Sequence, residues 1–150
     1  MNVKNVLNIP GTSEQIDFCI PEERLAQISR YVFASPVRVN GQIANRAGVV
    51  TLLFRINCSL LVTCDRCLKE MVQEIAYDEQ HTVVRSVASK EDEENYVIAR
   101  AECIDLVEIA VSDLILELPA KLLCREDCKG LCPVCGCDRN VTECGCMSER

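Results

Sequence analysis

Twelve cysteines are the chemically loaded residues of this 150-residue chain. Eight of them fall into four close pairs: Cys64/Cys67, Cys124/Cys128, Cys132/Cys135 and Cys144/Cys146. Thiolates are soft ligands, and four of them satisfy a tetrahedral zinc ion with no position left for water. Met1 to Gln15 lacks the basic start and apolar stretch of a secretory signal, so the expected compartment is the reducing cytoplasm. There, dense cysteines mean metal ligands before disulfides. Cys132-Pro133-Val134-Cys135-Gly136 has the form of a zinc-ribbon knuckle, a tight turn aiming two sulfurs at one point. Cys144 and Cys146, starting nine residues after Cys135, complete one four-thiolate site within the tail. Cys64 and Cys67 then share a second, long-range site with the remaining pair, Cys124 and Cys128. The expectation is two zinc ions per chain. The spacing matches neither ferredoxin pattern, which disfavours an iron–sulfur cluster. Cys137 stays open, because it lies two residues past Cys135 and could replace Cys135 or Cys146 as a ligand. Cys19, Cys58 and Cys103 have largely apolar neighbours and are expected as small core residues.

Cys64-Asp65-Arg66-Cys67 also admits another chemistry, a thiol oxidoreductase or redox sensor. A thioredoxin-like pair wants a helix N-terminus to lower a thiol pKa. Here the pair falls between the apolar run Leu60-Leu61-Val62 and Met71-Val72, at the tip of a predicted hairpin, which disfavours that reading. His81, the single histidine, has no nucleophile motif to serve and is expected as an ordinary strand or surface residue. Neither a Gly-rich phosphate loop nor a nucleophile elbow occurs, and no carboxylate pair stands out as catalytic. No enzyme activity and no small-molecule substrate are expected.

The elements that must position these thiols are mostly strands. Val37 to Ile43 alternates with period two, a turn follows at Asn45 to Gly48, and Val49 to Ile56 is β-branched and apolar. Ser59 to Thr63, Glu70 to Tyr77 and His81 to Val84 continue the pattern, and the short gaps argue for antiparallel hairpins. Pro21 to Phe33 is a candidate helix, with Pro21 in the first turn, acidic Glu22 and Glu23 behind it, and Leu25, Ile28 and Val32 on one face. Ser89 to Asn95 is a polar, acidic break. Asp105 is a plausible N-cap with Glu108 three residues on, opening a helix apolar on more than one face and therefore buried, which Pro119 ends. The fold class is α+β: an antiparallel β-rich body with a buried helix (residues 1–118) and a C-terminal zinc-ribbon-like tail (residues 119–150).

Composition limits partners. Forty-nine per cent apolar residues can build a core, and no apolar run approaches the roughly 18 residues of a membrane span. A net charge of −7 and no tryptophan speak against a general electrostatic or stacking grip on nucleic acid. Lys121, Arg125, Lys129 and Arg139 can still form a local cationic face in the tail.

Three segments carry a family likeness: Cys64-Asp65-Arg66-Cys67-Leu68, Leu116-Glu117-Leu118-Pro119, and Leu123 to Gly136, with its Cys128-Lys129-Gly130-Leu131-Cys132-Pro133-Val134-Cys135-Gly136. In this order they resemble the large ribosomal RNA subunit accumulation protein family (YceD) of bacteria and plastids. The resemblance implies a role in synthesis, processing or accumulation of large-subunit ribosomal RNA, with ribosomal RNA or ribosome-assembly proteins as partners. It supplies no catalytic mechanism and does not fix the ligand pairing. Cys137 departs from the family's usual tail.

Overall fold

The computed structural model describes residues 1–26, 31–89 and 91–147. In chain order the elements are α1 (Lys4–Asn8), β1 (Ser13–Cys19), α2 (Glu22–Leu25), β2 (Val32–Phe33), β3 (Arg38–Arg46), β4 (Val49–Thr63), β5 (Glu70–Val84), β6 (Val97–Ile98) and α3 (Leu106–Glu117). They form a six-stranded sheet in the order β1-β3-β4-β5-β6, and β2 pairs with the end of β4 that β3 does not reach. All pairings are antiparallel except β5 with β6, which run parallel.

β4 is the spine. Val50, Leu52, Phe54, Ile56, Cys58, Leu60 and Val62 alternate inward without interruption and are all buried. That strict period of two puts one face of the strand against the core over its whole length. The sequence suggests a break at Asn57-Cys58, yet β4 runs through it as one strand of 15 residues. β5 likewise runs unbroken through Asp78-Glu79-Gln80. Those polar residues fit a strand because Asp78 points outward into an ion pair with Arg55 on β4. The turn between β3 and β4 falls at Ala47 and Gly48, both at positive φ (52° and 90°), the backbone that joins twisted strands in a two-residue hairpin.

α3 begins as expected. The Asp105 carboxylate accepts hydrogen bonds from the backbone N–H of Val107 (3.0 Å) and Glu108 (3.1 Å). Ala110, Val111 and Leu114 are buried with the core side of the sheet, and the Tyr77 hydroxyl on β5 donates to the Glu117 carbonyl at the helix end. The helix buries this stripe alone. Ile115 and Leu116, its second apolar face, are 49% and 81% exposed.

The candidate helix over 21–33 is a single turn, Glu22–Leu25; Gln27 to Arg30 lie outside the described residues. Val32, placed on that helix's apolar face by its spacing, and Phe33, at its end, instead form β2 against Leu61 and Leu60. A β-branched and an aromatic residue satisfy a ladder better than a helix end. β1 and α1 carry no clear periodic pattern in the sequence. Val3 and Val6 at the chain start are fully buried, held where the Val3 N–H donates to the Glu102 carbonyl (2.8 Å).

Candidate metal centres

The loop between β4 and β5 places the first pair of sulfurs. Thr63 and Glu70 close the ladder, and the Cys64 N–H donates to the Lys69 carbonyl (2.9 Å). The Leu68 N–H returns to the Cys64 carbonyl (3.0 Å), with Leu68 at φ 58°. This tight turn sets Cys64 and Cys67 side by side, fully buried and 8% exposed. After α3 the chain passes over that tip and adds Cys124 and Cys128. Backbone contacts interlock the two pieces: Asp65 N–H to the Leu122 carbonyl (2.7 Å), Leu122 N–H to the Asp65 carboxylate (2.7 Å), and Leu131 N–H to the Arg66 carbonyl (3.0 Å). The Arg66 guanidinium donates to the Cys128 carbonyl (2.7 Å). Leu123 and Leu131 pack against the buried thiols.

The four sulfurs of Cys64, Cys67, Cys124 and Cys128 lie within 4.8 Å of one another. Cys64 and Cys128 are separated by 3.8 Å, Cys67 and Cys124 by 3.6 Å. With a zinc–sulfur bond of about 2.3 Å, the edge of a tetrahedron of sulfurs is about 3.8 Å. A disulfide would need about 2.05 Å. The spacing fits one tetrahedral ion.

The electrostatics fit a dication as well. Backbone N–H groups, that of Cys67 foremost, pull the Cys64 thiol down to about 6. Burial and then the neighbouring sulfurs push Cys124 up to about 12. The first thiolate forms readily and the last is resisted by its neighbours' charge, so only a bound cation stabilises all four together.

The second group is Cys132, Cys135, Cys137 and Cys144, again within 4.8 Å of one another. The Gly136 N–H donates to the Cys132 carbonyl (2.9 Å) with Gly136 at φ 73°, the turn that the knuckle motif demands. Backbone N–H groups of Cys135 and Val134 bring Cys132 down to about 6. The Cys135 sulfur pushes its neighbour Cys137 up to about 12. Here the arrangement departs from the sequence expectation at one position: Cys137 occupies the place assigned to Cys146. Cys146 is exposed and adjoins Cys135, which pushes its thiol up to about 11, but it lies outside the mutually close four. The Cys132 N–H reaches the Cys137 carbonyl (2.8 Å), and this narrow turn carries the Cys137 sulfur back toward Cys132.

Asn140 joins the two groups and was not singled out by the sequence. Its side-chain N–H₂ donates to the Cys128 sulfur (3.4 Å) and to the Asp138 carboxylate (2.7 Å), while its carbonyl oxygen accepts from the Lys129 N–H and the Arg125 guanidinium (2.8 Å each). An asparagine three residues past a ligand carries no motif of its own. Among the remaining cysteines, Cys58 is buried as expected, and burial pushes its thiol up to about 11. Cys19 and Cys103 are exposed, against expectation. Cys19 ends β1 on its outward side, and Cys103 lies in the loop before α3, so their apolar sequence neighbours turn away from them.

The model of the family described as large ribosomal RNA subunit accumulation protein YceD matches residues 52–150, which include both thiol groups. The chain belongs to the YceD family. Among similar curated proteins, one uncharacterized protein of Mycobacterium bovis and two of Mycobacterium tuberculosis are each 36% identical to this YceD chain over 81 residues. The matched stretch is 49% of this chain and 37% of each relative, so the chain aligns with well under half of those proteins. No solved structure matches it. Among the described residues, no helix of this YceD protein is long and apolar enough to cross a membrane.

Proposed function

We propose that this YceD protein is a non-enzymatic, cytoplasmic ribosome-biogenesis factor. It supports synthesis, processing or accumulation of large-subunit ribosomal RNA and holds two structural zinc ions. The family name carries the ribosomal role. The observation that supports a structural rather than catalytic part for the metal is closure: each group supplies four sulfurs, leaving no coordination position for water or substrate. The redox reading of Cys64 and Cys67 has less support, because Cys64 is fully buried and each sulfur of the pair faces a partner from the tail rather than a helix N-terminus. Lys121, Arg125 and Lys129 are exposed beside the first thiol group and offer the nearest cationic surface for ribosomal RNA, with an assembly protein as the other partner.

The test is a deletion strain. It should show less large-subunit than small-subunit ribosomal RNA, with the normal ratio restored by the wild-type chain. Unchanged ratios and ribosome profiles overturn the proposal.

A further inference from the structure

We propose that Glu79, His81 and Asp113 form a third metal site, independent of both thiol groups and suited to a hard or borderline divalent first-row cation. Glu79 and His81 stand two residues apart on β5 and therefore share the face turned toward α3. Asp113 comes from the third turn of α3. The contact between Tyr77 and Glu117 fixes that helix on that strand. One carboxylate oxygen from each acid and one ring nitrogen of His81 lie within 4.8 Å of one another. His81 Nε2 and Asp113 Oδ2 are 2.8 Å apart, with side chains only 25% and 12% exposed. Metal–nitrogen and metal–oxygen bonds of about 2.1 Å place neighbouring ligands of an octahedral ion about 3.0 Å apart, so the pair already spans a ligand edge.

A hydrogen bond pinning helix to sheet explains the His81–Asp113 distance equally well, and on its own would need nothing more. That bond does not involve Glu79. This half-buried carboxylate accepts no hydrogen bond among the described residues, yet it is held beside a second carboxylate. His81 and Asp113, though not Glu79, line a cavity of about 990 Å³ whose lining also includes Glu93, Glu94, Asp105 and Glu108, with Arg100 and the Met1 ammonium as its cationic groups. A cation bound by Glu79, His81 and Asp113 offsets the charge of the two carboxylates that face each other there. The imidazole ring is also pre-set, stacked on Phe54 with ring centroids 5.8 Å apart. One nitrogen and two oxygens suit manganese, iron, cobalt or zinc, whereas thiolates select softer ions. Three protein ligands leave positions open for water.

Manganese(II) is the probe, because a hard ion does not displace zinc from thiolates. The full chain, loaded with zinc, is titrated with Mn²⁺ while free Mn²⁺ is followed by electron paramagnetic resonance. The expected result is one Mn²⁺ per chain with no zinc released, and an affinity at least about tenfold lower in both Asp113→Asn and Glu79→Gln, a loss that even an outer-shell partner can cause. Glu79→Gln removes no hydrogen bond, so its fold should survive, and circular dichroism checks both variants. No Mn²⁺ uptake at millimolar concentration overturns the proposal. So does uptake that both folded variants retain, or uptake accompanied by zinc release.

Discussion

Cys146 and Cys137 separate two ligand sets by their reactivity. A metal-bound thiolate is shielded, while an exposed free thiol is open to alkylation. In the zinc-loaded protein, Cys19, Cys103 and Cys146 are therefore expected to react with iodoacetamide at pH 8. Cys58, buried with its thiol pushed up to about 11, should stay unmodified. Peptide mass mapping reads this directly, and protection of Cys146 together with alkylation of Cys137 would restore the ligand set expected from spacing alone. The sequence made the two thiol groups legible, because pair spacing is dictated by the turn that aims two sulfurs at one ion. It left the choice between Cys137 and Cys146 open, because both stand two residues from another cysteine and only the path of the chain after Gly136 decides which sulfur turns back. The exposed Cys19 and Cys103 show the same limit: apolar sequence neighbours report a face only when the strand's phase is known.

Among the elements, the crossing of the β4–β5 hairpin tip by the tail rests on Gly130. Its φ is 70°, and a Cβ there would sit 2.8 Å from the Arg66 carbonyl oxygen. Gly136 has nearly the same backbone, φ 73°, but open space around it. Both Gly→Ala changes incur the left-handed penalty of about 1 kcal/mol. Only Gly130→Ala also forces the two loops apart. Gly130→Ala should therefore cost roughly 2 kcal/mol or more, lowering the melting temperature by about 4–8 °C and loosening zinc at the first thiol group, with Gly136→Ala costing about half as much. Equal melting shifts would mean that the crossing does not depend on close approach. The hairpin and α3 were readable because β4 alternates and Asp105 caps. β1 was not, because Ser13 to Cys19 buries Ile16 and no other residue and so carries little periodic signal. Val32 fits a helix by spacing with Leu25 and Ile28, and only the long-range pairing of Val32 and Phe33 with Leu61 and Leu60 reveals a strand.

On the scale of the whole molecule, the two thiol groups differ in the lengths of chain they close. Cys64 to Cys128 and Cys67 to Cys124 are separated by 64 and 57 residues, and the second group spans only residues 132–144. Closing a long loop restrains the unfolded chain, and zinc affinity enters folding free energy directly, on the order of 10 kcal/mol for cysteine-rich sites. Cys67→Ser should accordingly lower the melting temperature of the entire sheet. The second group is not mechanically separate from the first, however. The Arg139 N–H donates to the Gly130 carbonyl (3.0 Å), and Asn140 holds the Cys128 sulfur, so the second group buttresses the first. Cys135→Ser should leave amide protection in β3, β4 and β5 intact, abolish it from Cys132 onward, and also weaken zinc at the first group by about 10–100-fold, as loss of an outer-shell partner does. Thermal melts, hydrogen exchange and chelator competition on the two variants measure these effects. Equal global destabilisation by both changes would show the two groups to be one cooperative unit. A Cys67→Ser protein with unaltered melting and full zinc content would take Cys67 off the metal and return the hairpin pair to redox chemistry.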